Sequence, residues 1–349
     1  MTKKNDSKWA SLATAPILGQ APGVIRPAHL LLSVVLILQA LSSHASGEVG
    51  GSDVKGWLEK MVAAVHTLSY QGTFVYLHNN HLESMSIVHS VGNKGESERL
   101  ISLNGVAREV VRDNASVTCI APDSRSVSIG SRVLGQGFRA VMSIDIDQLE
   151  NYYRFFHLGE ARVADRAVTV VAIVPKDHYR YGYRIYLDKQ HGLPLKTDML
   201  DANGDAISQM MFTRLQVDSN VETLTEPSIA GREDYQWVQQ KPLRRLSVSG
   251  DKNWKFNKLP TGYAVTLHAR KTAGEGVSGV DHFVISDGLA SLSLYVERAD
   301  EGAGLQGGSN MGAINAFGNR IDEFQVTVIG EVPALTVEQV ARALRKSDD

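Results

Sequence analysis

Residues 183–217 read YRIYLDKQHGLPLKTDMLDANGDAISQMMFTRLQV, and this stretch has a clear pattern of strands and turns. It contains three strand-like runs, 183–188, 195–200 and 208–217, separated by turn signals at His191-Gly192 and Asn203-Gly204. Asn-Gly between two such runs is the strongest short-range signal for a β-hairpin. The stretch therefore predicts a meander of three antiparallel strands.

The same strand pattern continues upstream of the meander. Short β-rich runs alternate with polar or Gly-containing turns, which is typical of antiparallel sheets. These runs cover residues 70–77, 84–91, 106–112, 116–121, 126–129 and 168–174. Apolar residues also recur at helical spacing over residues 54–68 and again over residues 147–156, and both stretches predict helices. Helices packed on a long antiparallel sheet are the natural assembly of these parts.

A second domain follows a polar stretch. Residues 219–241 are mostly polar and predict a linker. Strand-like runs then recur at residues 263–269, 282–286, 291–297 and 324–329. The chain ends in a helix, predicted from a capping box at Thr336 and Gln339 and from the apolar stripe beside it. We therefore expect the α+β class with mostly antiparallel strands, in two domains at residues 46–218 and 242–349.

Composition excludes several classes of protein. The 349 residues carry 36 Lys and Arg against 38 Asp and Glu, so the global charge does not predict binding to nucleic acid. Cys119 is the single cysteine, which excludes an internal disulfide and a zinc site built on paired cysteines. It lies in an apolar run without a basic neighbour that would activate a thiol, so we expect it to be buried and structural.

Residues 1–45 have the organisation of a secretory signal peptide. Lys3, Lys4 and Lys8 supply positive charge, and the apolar run at residues 30–41 is short for a membrane-spanning helix. Ser43-His44-Ala45 then places small residues at the −3 and −1 positions of a cleavage site. We therefore expect an exported protein.

No pattern in the chain predicts a catalytic, cofactor or metal site. Residues 302–307 read GAGLQG and match the G-x-G-x-x-G of dinucleotide-binding folds, but the Gly- and Asn-rich residues that follow are poor helix formers. We interpret this stretch as a mobile loop. His78, His81 and His89 have only Glu83 near them as a further ligand, which favours an exposed polar turn over a zinc site. The HExxH and G-x-S-x-G motifs are absent from the sequence.

Residues 177–184, DHYRYGYR, are the strongest candidate for a binding site. At strand spacing, Tyr179, Tyr181 and Tyr183 project from one face, while Arg180 and Arg184 project from the other. Tyr and Arg are favoured at interfaces, and Arg also binds phosphate and carboxylate groups through two hydrogen bonds. These five residues are our candidate contacts for a partner or a lipid headgroup. The alternative is a purely structural strand with aromatic pairs.

Together these segments resemble the MucB/RseB family of periplasmic regulators of the envelope-stress sigma factor. In the first domain the resemblance rests on residues 57–64, 68–76, 98–110, 119–122, 162–164, 179–184, 187–188 and 192–195. In the second domain it rests on Leu259-Pro260-x-Gly262 and on residues 286–291 and 325–333. One position departs from the family, since Asp165 stands where an Arg-Val-Ala-Gly-Arg segment has Gly.

The resemblance implies a large first domain similar to the lipoprotein carriers, with an open, barrel-like sheet, a helix and an apolar cavity, followed by a smaller α+β domain. It also implies a partner, the periplasmic part of a membrane-spanning anti-sigma factor, which the protein shields from the site-1 protease. Lipopolysaccharide or an acylated ligand would release that partner. The resemblance implies neither a cofactor nor nucleic acid, and assembly into a homo-oligomer stays open.

Two other functions compete with this regulator. A periplasmic carrier of lipoproteins or lipids is the alternative, but a carrier has little use for a second domain of about 100 residues. A secreted hydrolase would need a nucleophile motif, which the chain lacks. We therefore expect a regulator in the periplasm that is not an enzyme.

The signal peptide leads to the first testable prediction. Mass spectrometry of protein recovered from the periplasm should find Ser46, or a residue close to it, at the N-terminus, because the cleavage signal ends at Ala45. Recovery of a full-length form embedded in the membrane would contradict this expectation.

Overall fold

The computed structural model describes residues 51–93, 95–131, 145–217, 221, 234–239, 244–246, 253–271, 279–299 and 304–347. The predicted signal peptide, residues 1–45, lies outside these ranges, as does most of the predicted linker, residues 219–241. Strands dominate the described residues, and three helices accompany them. The predicted α+β class with mostly antiparallel strands is confirmed.

Among the described residues, the first domain combines helix α1 (Gly51–Thr67), a short helix α2 (Ile146–Leu149) and twelve strands. The strands before α2 are β1 (Tyr70–His78), β2 (His81–Gly92), β3 (Gly95–Ser102), β4 (Glu109–Arg112), β5 (Ser116–Ala121) and β6 (Ser126–Ser131). The strands after it are β7 (Tyr153–Val163), β8 (Arg166–Pro175), β9 (Gly182–Asp188), β10 (Pro194–Leu200), β11 (Ala206–Val217) and β12 (Gln236–Gln239).

These strands form one open sheet in the order β12-β6-β5-β4-β3-β2-β1-β11-β10-β9-β8-β7. All neighbours pair antiparallel except β12 and β6, which are parallel. The meander predicted from residues 183–217 is confirmed, because β9, β10 and β11 lie side by side in chain order. Strand β12 falls within the predicted linker, so part of that stretch belongs to the edge of this sheet.

The second predicted helix is mostly wrong. Only Ile146–Leu149 are helical, and Tyr153–Val163 form the edge strand β7. Asp145 caps the short helix by accepting a hydrogen bond from the Gln148 N–H. The aromatic residues that follow favour a strand, and pairing with β8 satisfies backbone groups that a short helix would leave open.

Helix α1 covers one face of the sheet, as its spacing predicts. Val54, Leu58 and Met61 are each about 1% exposed and pack with Ile185 and Leu187 of β9. This core also contains Leu289 and Ala313 of the second domain, so the two domains share buried apolar contacts. Burial of such residues is the main favourable term in folding.

The second domain is a seven-stranded antiparallel sheet in the order β13-β15-β16-β17-β20-β19-β18, with a separate β14–β21 pair. Its strands are β13 (Arg244–Leu246), β14 (Trp254–Phe256), β15 (Ala264–Lys271), β16 (Val280–Ser286), β17 (Ser291–Arg298), β18 (Gly307–Met311), β19 (Ile314–Ile321), β20 (Phe324–Gly330) and β21 (Leu344–Lys346). Helix α3 (Ala334–Ala343) packs on this sheet, with Val337, Val340 and Ala341 fully buried against Val326 and Val328.

The capping box predicted at the start of the last helix does not form. Pro333 occupies the cap position, and no side chain there caps the helix. The Thr336 hydroxyl instead donates a hydrogen bond of 2.8 Å to the Tyr179 carbonyl of the first domain. A hydroxyl that could satisfy the helix end therefore links the two domains.

The stretch predicted as a mobile loop is packed against the sheet from Gly304 onward. The backbone at Leu305 crosses β19 so closely that a Cβ on Gly318 would lie 1.9 Å from the Leu305 carbonyl oxygen. The Gln325 side-chain amide donates a 2.9 Å hydrogen bond to the same carbonyl. Gly307–Met311 then pair with β19 as strand β18. Within the motif, Gly304 has φ +118°, and a Cβ there would lie 2.4 Å from the Gln325 side-chain oxygen, so this position requires Gly.

Asp165 lies in a two-residue hairpin turn between β7 and β8. Val163 pairs with Arg166, and both turn residues have positive φ, +49° at Ala164 and +62° at Asp165. Such turns favour Gly at the second position, because L-residues are strained in left-handed backbone. This explains why the departure from the family's Gly is tolerated, since Asp adopts that backbone more readily than most residues.

Replacing Asp165 with Gly should stabilise the protein by about 0.5–1 kcal/mol, because Gly removes the strain at this turn. Urea unfolding of the purified protein measures the change. Asp165→Ala is the matched control. It also removes the ion pair with Arg162 but keeps a side chain at positive φ, so it should destabilise. Equal loss of stability in both variants would show that the ion pair outweighs the backbone strain.

Candidate functional site

The candidate residues Tyr179 to Arg184 lie where the first domain meets the second. Strand β9 begins only at Gly182, so Tyr179, Arg180 and Tyr181 precede it in an irregular segment. The predicted separation of all tyrosines on one face and both arginines on the other is therefore wrong for these three residues. Within this segment, the Asp177 carboxylate accepts the Tyr179 N–H at 2.9 Å.

Arg180 is the centre of this junction. Its side chain is completely buried, and its guanidinium donates hydrogen bonds to Asp287, Asp177 and the Thr261 carbonyl. Asp287 and Thr261 belong to the second domain. One side chain of the first domain therefore binds two segments of the second domain. The rings of Tyr152 and Tyr263 flank the guanidinium at 4.9 and 4.8 Å, within the range of cation–π attraction.

Both carboxylate oxygens of Asp287 also accept hydrogen bonds. One carboxylate oxygen accepts the Leu289 and Ala290 N–H groups at 2.9 and 2.7 Å and thereby forms the turn between β16 and β17. The other oxygen accepts Arg180 and the Tyr153 hydroxyl, the latter at 2.9 Å. A buried ion pair is stable only when its remaining donors and acceptors are bonded in this way.

The pKa values of the junction keep its charges fixed. Burial is the largest single effect and lowers the pKa of Arg180, but Asp287, the neighbouring tyrosines and Asp177 together outweigh it, so the pKa lies above its usual value. Burial, followed by the Asp287 charge, raises the pKa of Tyr153 and of Tyr263. At neutral pH the arginine is therefore cationic, and both tyrosine hydroxyls remain neutral donors.

The backbone and rings of the candidate segment also bind the second domain. The Tyr179 carbonyl accepts two hydroxyls, that of Tyr263 at 3.0 Å and that of Thr336 at 2.8 Å. The Tyr181 hydroxyl accepts the Asn315 side-chain amide at 3.0 Å, and Asn315 also donates to the Val332 carbonyl. The ring of Tyr179 packs against the core of the second domain.

Tyr183 and Arg184 lie on the strand and serve the first domain. Tyr183 is buried in the core beneath α1, which raises its pKa. Arg184 lies on the opposite face, with its Nε 3.7 Å from a carboxylate oxygen of the buried Asp198. Asp198 also accepts Lys196 and Gln209 at 3.3 and 2.9 Å, so Arg184 belongs to a polar network on that face.

Sequence reasoning missed Gly262 and Asp287 as parts of this junction. Gly262 has φ +86°, and a Cβ there would lie 2.6 Å from the Tyr152 ring and 2.8 Å from the Arg180 guanidinium. The close approach of these groups therefore requires Gly. Both residues fall within segments that carry the family resemblance, Leu259-Pro260-x-Gly262 and residues 286–291, which is the signal that could have identified them.

A second contact joins the domains at strand β1. Glu331 follows β20 and lies close enough to the Tyr76 hydroxyl to affect its pKa, and that hydroxyl accepts the Ser208 hydroxyl at 3.4 Å. Burial raises the pKa of Glu331, and nearby His78 partly offsets that effect. The junction therefore extends beyond the Arg180 cluster to the centre of the first sheet.

The other candidate residues do not converge on a site. The His78 and His81 rings lie 6.4 Å apart near the β1–β2 turn, while His89 is buried further along β2 and stacks on Tyr70. No group of three or more His, Cys, Asp or Glu among the described residues is placed to hold a metal ion. Cys119 is half-buried on β5, although the sequence predicts a buried residue.

The three helices of the described residues are 17, 4 and 10 residues long. None of them is long and apolar enough to cross a bilayer.

The fold and the junction define a two-domain α+β protein in which a buried ion pair joins two mostly antiparallel sheets. Residues 53–230 match the model of the MucB/RseB N-terminal domain, and residues 248–345 match that of the MucB/RseB C-terminal domain. The chain belongs to the MucB/RseB family. This confirms the resemblance inferred from the sequence.

Similar proteins cover most of the chain. The sigma factor AlgU regulatory protein MucB of Pseudomonas aeruginosa is 29% identical over 320 residues, 90% of this chain and 96% of that protein. The sigma-E factor regulatory protein RseB of Haemophilus influenzae is 28% identical over 309 residues, 87% of this chain and 94% of that protein. The MucB chain in the complex structure of Pseudomonas aeruginosa MucA/MucB is 29% identical, with a TM-score of 0.66, and the match covers 85% of this chain and all of that one.

The junction gives a testable prediction about stability. Arg180→Met should lower the free energy of unfolding by about 3–5 kcal/mol, because it leaves the Asp287 carboxylate buried without its cation. The double variant Arg180→Met/Asp287→Asn should recover most of this loss, since Asn keeps the oxygen that accepts the Leu289 and Ala290 N–H groups. Urea unfolding measures both changes.

Arg162→Met is the matched control for this prediction. Arg162 also pairs with an Asp, but both side chains are exposed, and exposed pairs contribute little to stability. An Arg180→Met variant as stable as this control would show that the buried pair does not hold the junction together.

Proposed function

We propose that this protein is a periplasmic negative regulator of a sigma-E type envelope-stress response. It binds the periplasmic part of a membrane-spanning anti-sigma factor and protects that factor from site-1 proteolysis. A lipid or lipopolysaccharide signal releases it. The protein acts by binding and not as an enzyme, and its predicted signal peptide at residues 1–45 brings it to the periplasm.

The observation that carries this proposal is the match to MucB in its complex with MucA. The match covers all of that MucB chain and includes both domains of the present protein. The relatives from Pseudomonas aeruginosa and Haemophilus influenzae are sigma factor regulatory proteins, and each is covered almost completely. Agreement over both domains supports a shared partner class more strongly than agreement in one domain would.

The junction explains how such a protein can present a composite surface. A partner that contacts both domains binds more tightly when the domains are already fixed, because less freedom is lost on binding. The buried Arg180–Asp287 pair and the hydroxyls on the Tyr179 carbonyl provide that fixed arrangement. We infer that the junction positions the binding surface.

The candidate contacts Tyr179, Arg180, Tyr181, Tyr183 and Arg184 remain a prediction. Arg180 and Tyr183 are buried, so neither can touch a partner while the domains keep this arrangement. Arg184 is the candidate whose guanidinium lies outside the junction, and its side chain is about one-fifth exposed. We therefore assign the first four residues to positioning and keep Arg184 as the candidate for direct contact.

The test measures binding of residues 46–349 to the purified periplasmic part of the anti-sigma factor by calorimetry. A complex should form, and the bound factor should resist the site-1 protease. Added lipopolysaccharide should release it and restore cleavage. Arg184→Gln should weaken binding if that residue touches the partner, and Arg162→Gln, which changes an exposed arginine of the β7–β8 hairpin, is the control.

Two outcomes would contradict the proposal that the protein is a regulator. If the wild-type protein neither binds the anti-sigma factor nor slows its cleavage, the proposal fails. If capture from membrane extract recovers lipoproteins without the anti-sigma factor, the periplasmic carrier becomes the better function.

A further inference from the structure

The sheet of the second domain ends in an edge strand without the usual protection. Strand β18 pairs with β19 on one side, and no described strand pairs with its other side. Its sequence, Gly307-Gly308-Ser309-Asn310-Met311, contains no charge and no proline, and its register with β19 has no bulge. Residues 308–311 are exposed. Such an edge presents unpaired N–H and C=O groups that another chain can pair with.

Strand β7, an edge strand of the first sheet, is protected. Strand β7 has a bulge between His157 and Gly159 and carries charged residues at Glu160 and Arg162. Bulges and charges on an edge prevent unwanted pairing. The edge at β18 therefore lacks the devices that protect the edge at β7.

Helix α3 forms a wall beside this edge. Leu335, Glu338 and Arg342 lie along one side of the helix, three and then four residues apart. The Arg342 guanidinium lies 5.4 Å from the Phe317 ring, and Phe317 pairs in register with Gly308 of β18. This side of α3 therefore faces the edge.

The chemistry of the edge and of the wall identifies the kind of occupant. Unpaired main-chain donors and acceptors in a row are matched by the backbone of another extended polypeptide. Gly307 and Gly308 carry no side chain that would hinder its approach. Leu335 and Met311, 48% and 57% exposed, offer apolar contacts at the wall and at the end of the strand. Glu338 and Arg342 pair with each other at 3.0 Å, so the wall favours a segment without net charge.

From this arrangement we propose that an extended segment of the anti-sigma partner adds to the free edge of β18 as an eighth strand, next to the exposed side of α3. The main-chain hydrogen bonds hold the segment, and its alternate side chains contact Leu335 and Met311. This inference rests on the proposed function, because it names the contact by which the same partner binds.

Hydrogen exchange on the wild-type protein tests the inference. The probe is the purified periplasmic part of the anti-sigma factor, added at saturation to residues 46–349. The amides of β18 that face away from β19 should exchange fast in the free protein and slow by roughly tenfold or more in the complex, since each becomes hydrogen-bonded. The amides of β17, which lies between two strands, serve as the internal control.

Matched variants test the same contact by affinity. Along an edge strand, successive N–H groups point alternately toward the neighbouring strand and away from it. Gly308→Pro and Ser309→Pro each remove one N–H group. In one of these two variants the lost group points away from β19, so the pairing with β19 stays intact. That variant should keep its melting temperature and bind the probe at least about tenfold more weakly. Leu335→Ser should also weaken binding, whereas Leu82→Ser, at an equally exposed leucine of β2, should not.

Each remaining outcome would overturn the inference. Wild-type affinity in both proline variants, or unchanged exchange of β18 in a complex that does form, would place the partner elsewhere and leave the proposed function intact. Slower exchange that depends on protein concentration and needs no probe would show that β18 pairs with a second copy of the chain. Absence of any complex with the wild-type protein would overturn the proposed function as well.

Discussion

The arrangement of the two domains depends on the ion pair between Arg180 and Asp287. Both side chains are fully buried, and removal of two charges from water costs several kcal/mol for each ion. The pair is stable because each partner is bonded on its remaining sides, Asp287 by a tyrosine hydroxyl and two turn amides, and Arg180 by Asp177 and a carbonyl. Such a network tolerates one geometry, so it specifies the angle between the domains as well as their contact.

Around this pair the interface combines several kinds of interaction. Apolar residues of both domains share one core, which includes Leu289 and Ala313 beside the residues under α1. The Tyr179 carbonyl accepts two hydroxyls, and Gly262 allows the close approach that the guanidinium requires. Apolar burial supplies most of the stability, and the directional hydrogen bonds select one arrangement among those that would bury a similar area.

Local patterns predicted most of the fold, and long-range contacts account for most of the errors. The hairpin signals at Gly192 and Gly204 identified the meander, because positive φ at those positions is a property of the residues themselves. The helix predicted at residues 147–156 failed, since pairing with β8 outweighed a helical pattern of aromatic residues. Thr336 failed as a cap for a related reason. Its hydroxyl binds a carbonyl 157 residues away, and no local pattern contains that information.

For the candidate site, too, local patterns were informative and long-range contacts were not predicted. Residues 179–184 were identified from composition alone, because interleaved Tyr and Arg are unusual on an ordinary strand. Their orientation could not be predicted, since Asp287 and Gly262 lie about a hundred and about eighty residues further along the chain. The segments that carry the family resemblance include those two positions, but the resemblance does not indicate how the residues are arranged in space.

The position of β1 has a consequence for the order in which the chain folds. Strand β1 lies in the middle of the first sheet, between β2 and β11, and its contact with β11 joins residues as far apart as Thr73 and Thr213. Strands β2 to β6 and β7 to β11 are each built from neighbours in sequence, so each half can form early. Backbone hydrogen bonds join the two halves in the described sheet at the β1–β11 pairing, and closing so long a loop is slow. As the chain is synthesised from its N-terminus, one edge of β1 stays open until β11 is available. During that interval the apolar side of α1 also lacks β9 beneath it, so the incomplete chain exposes apolar surface that chaperones bind.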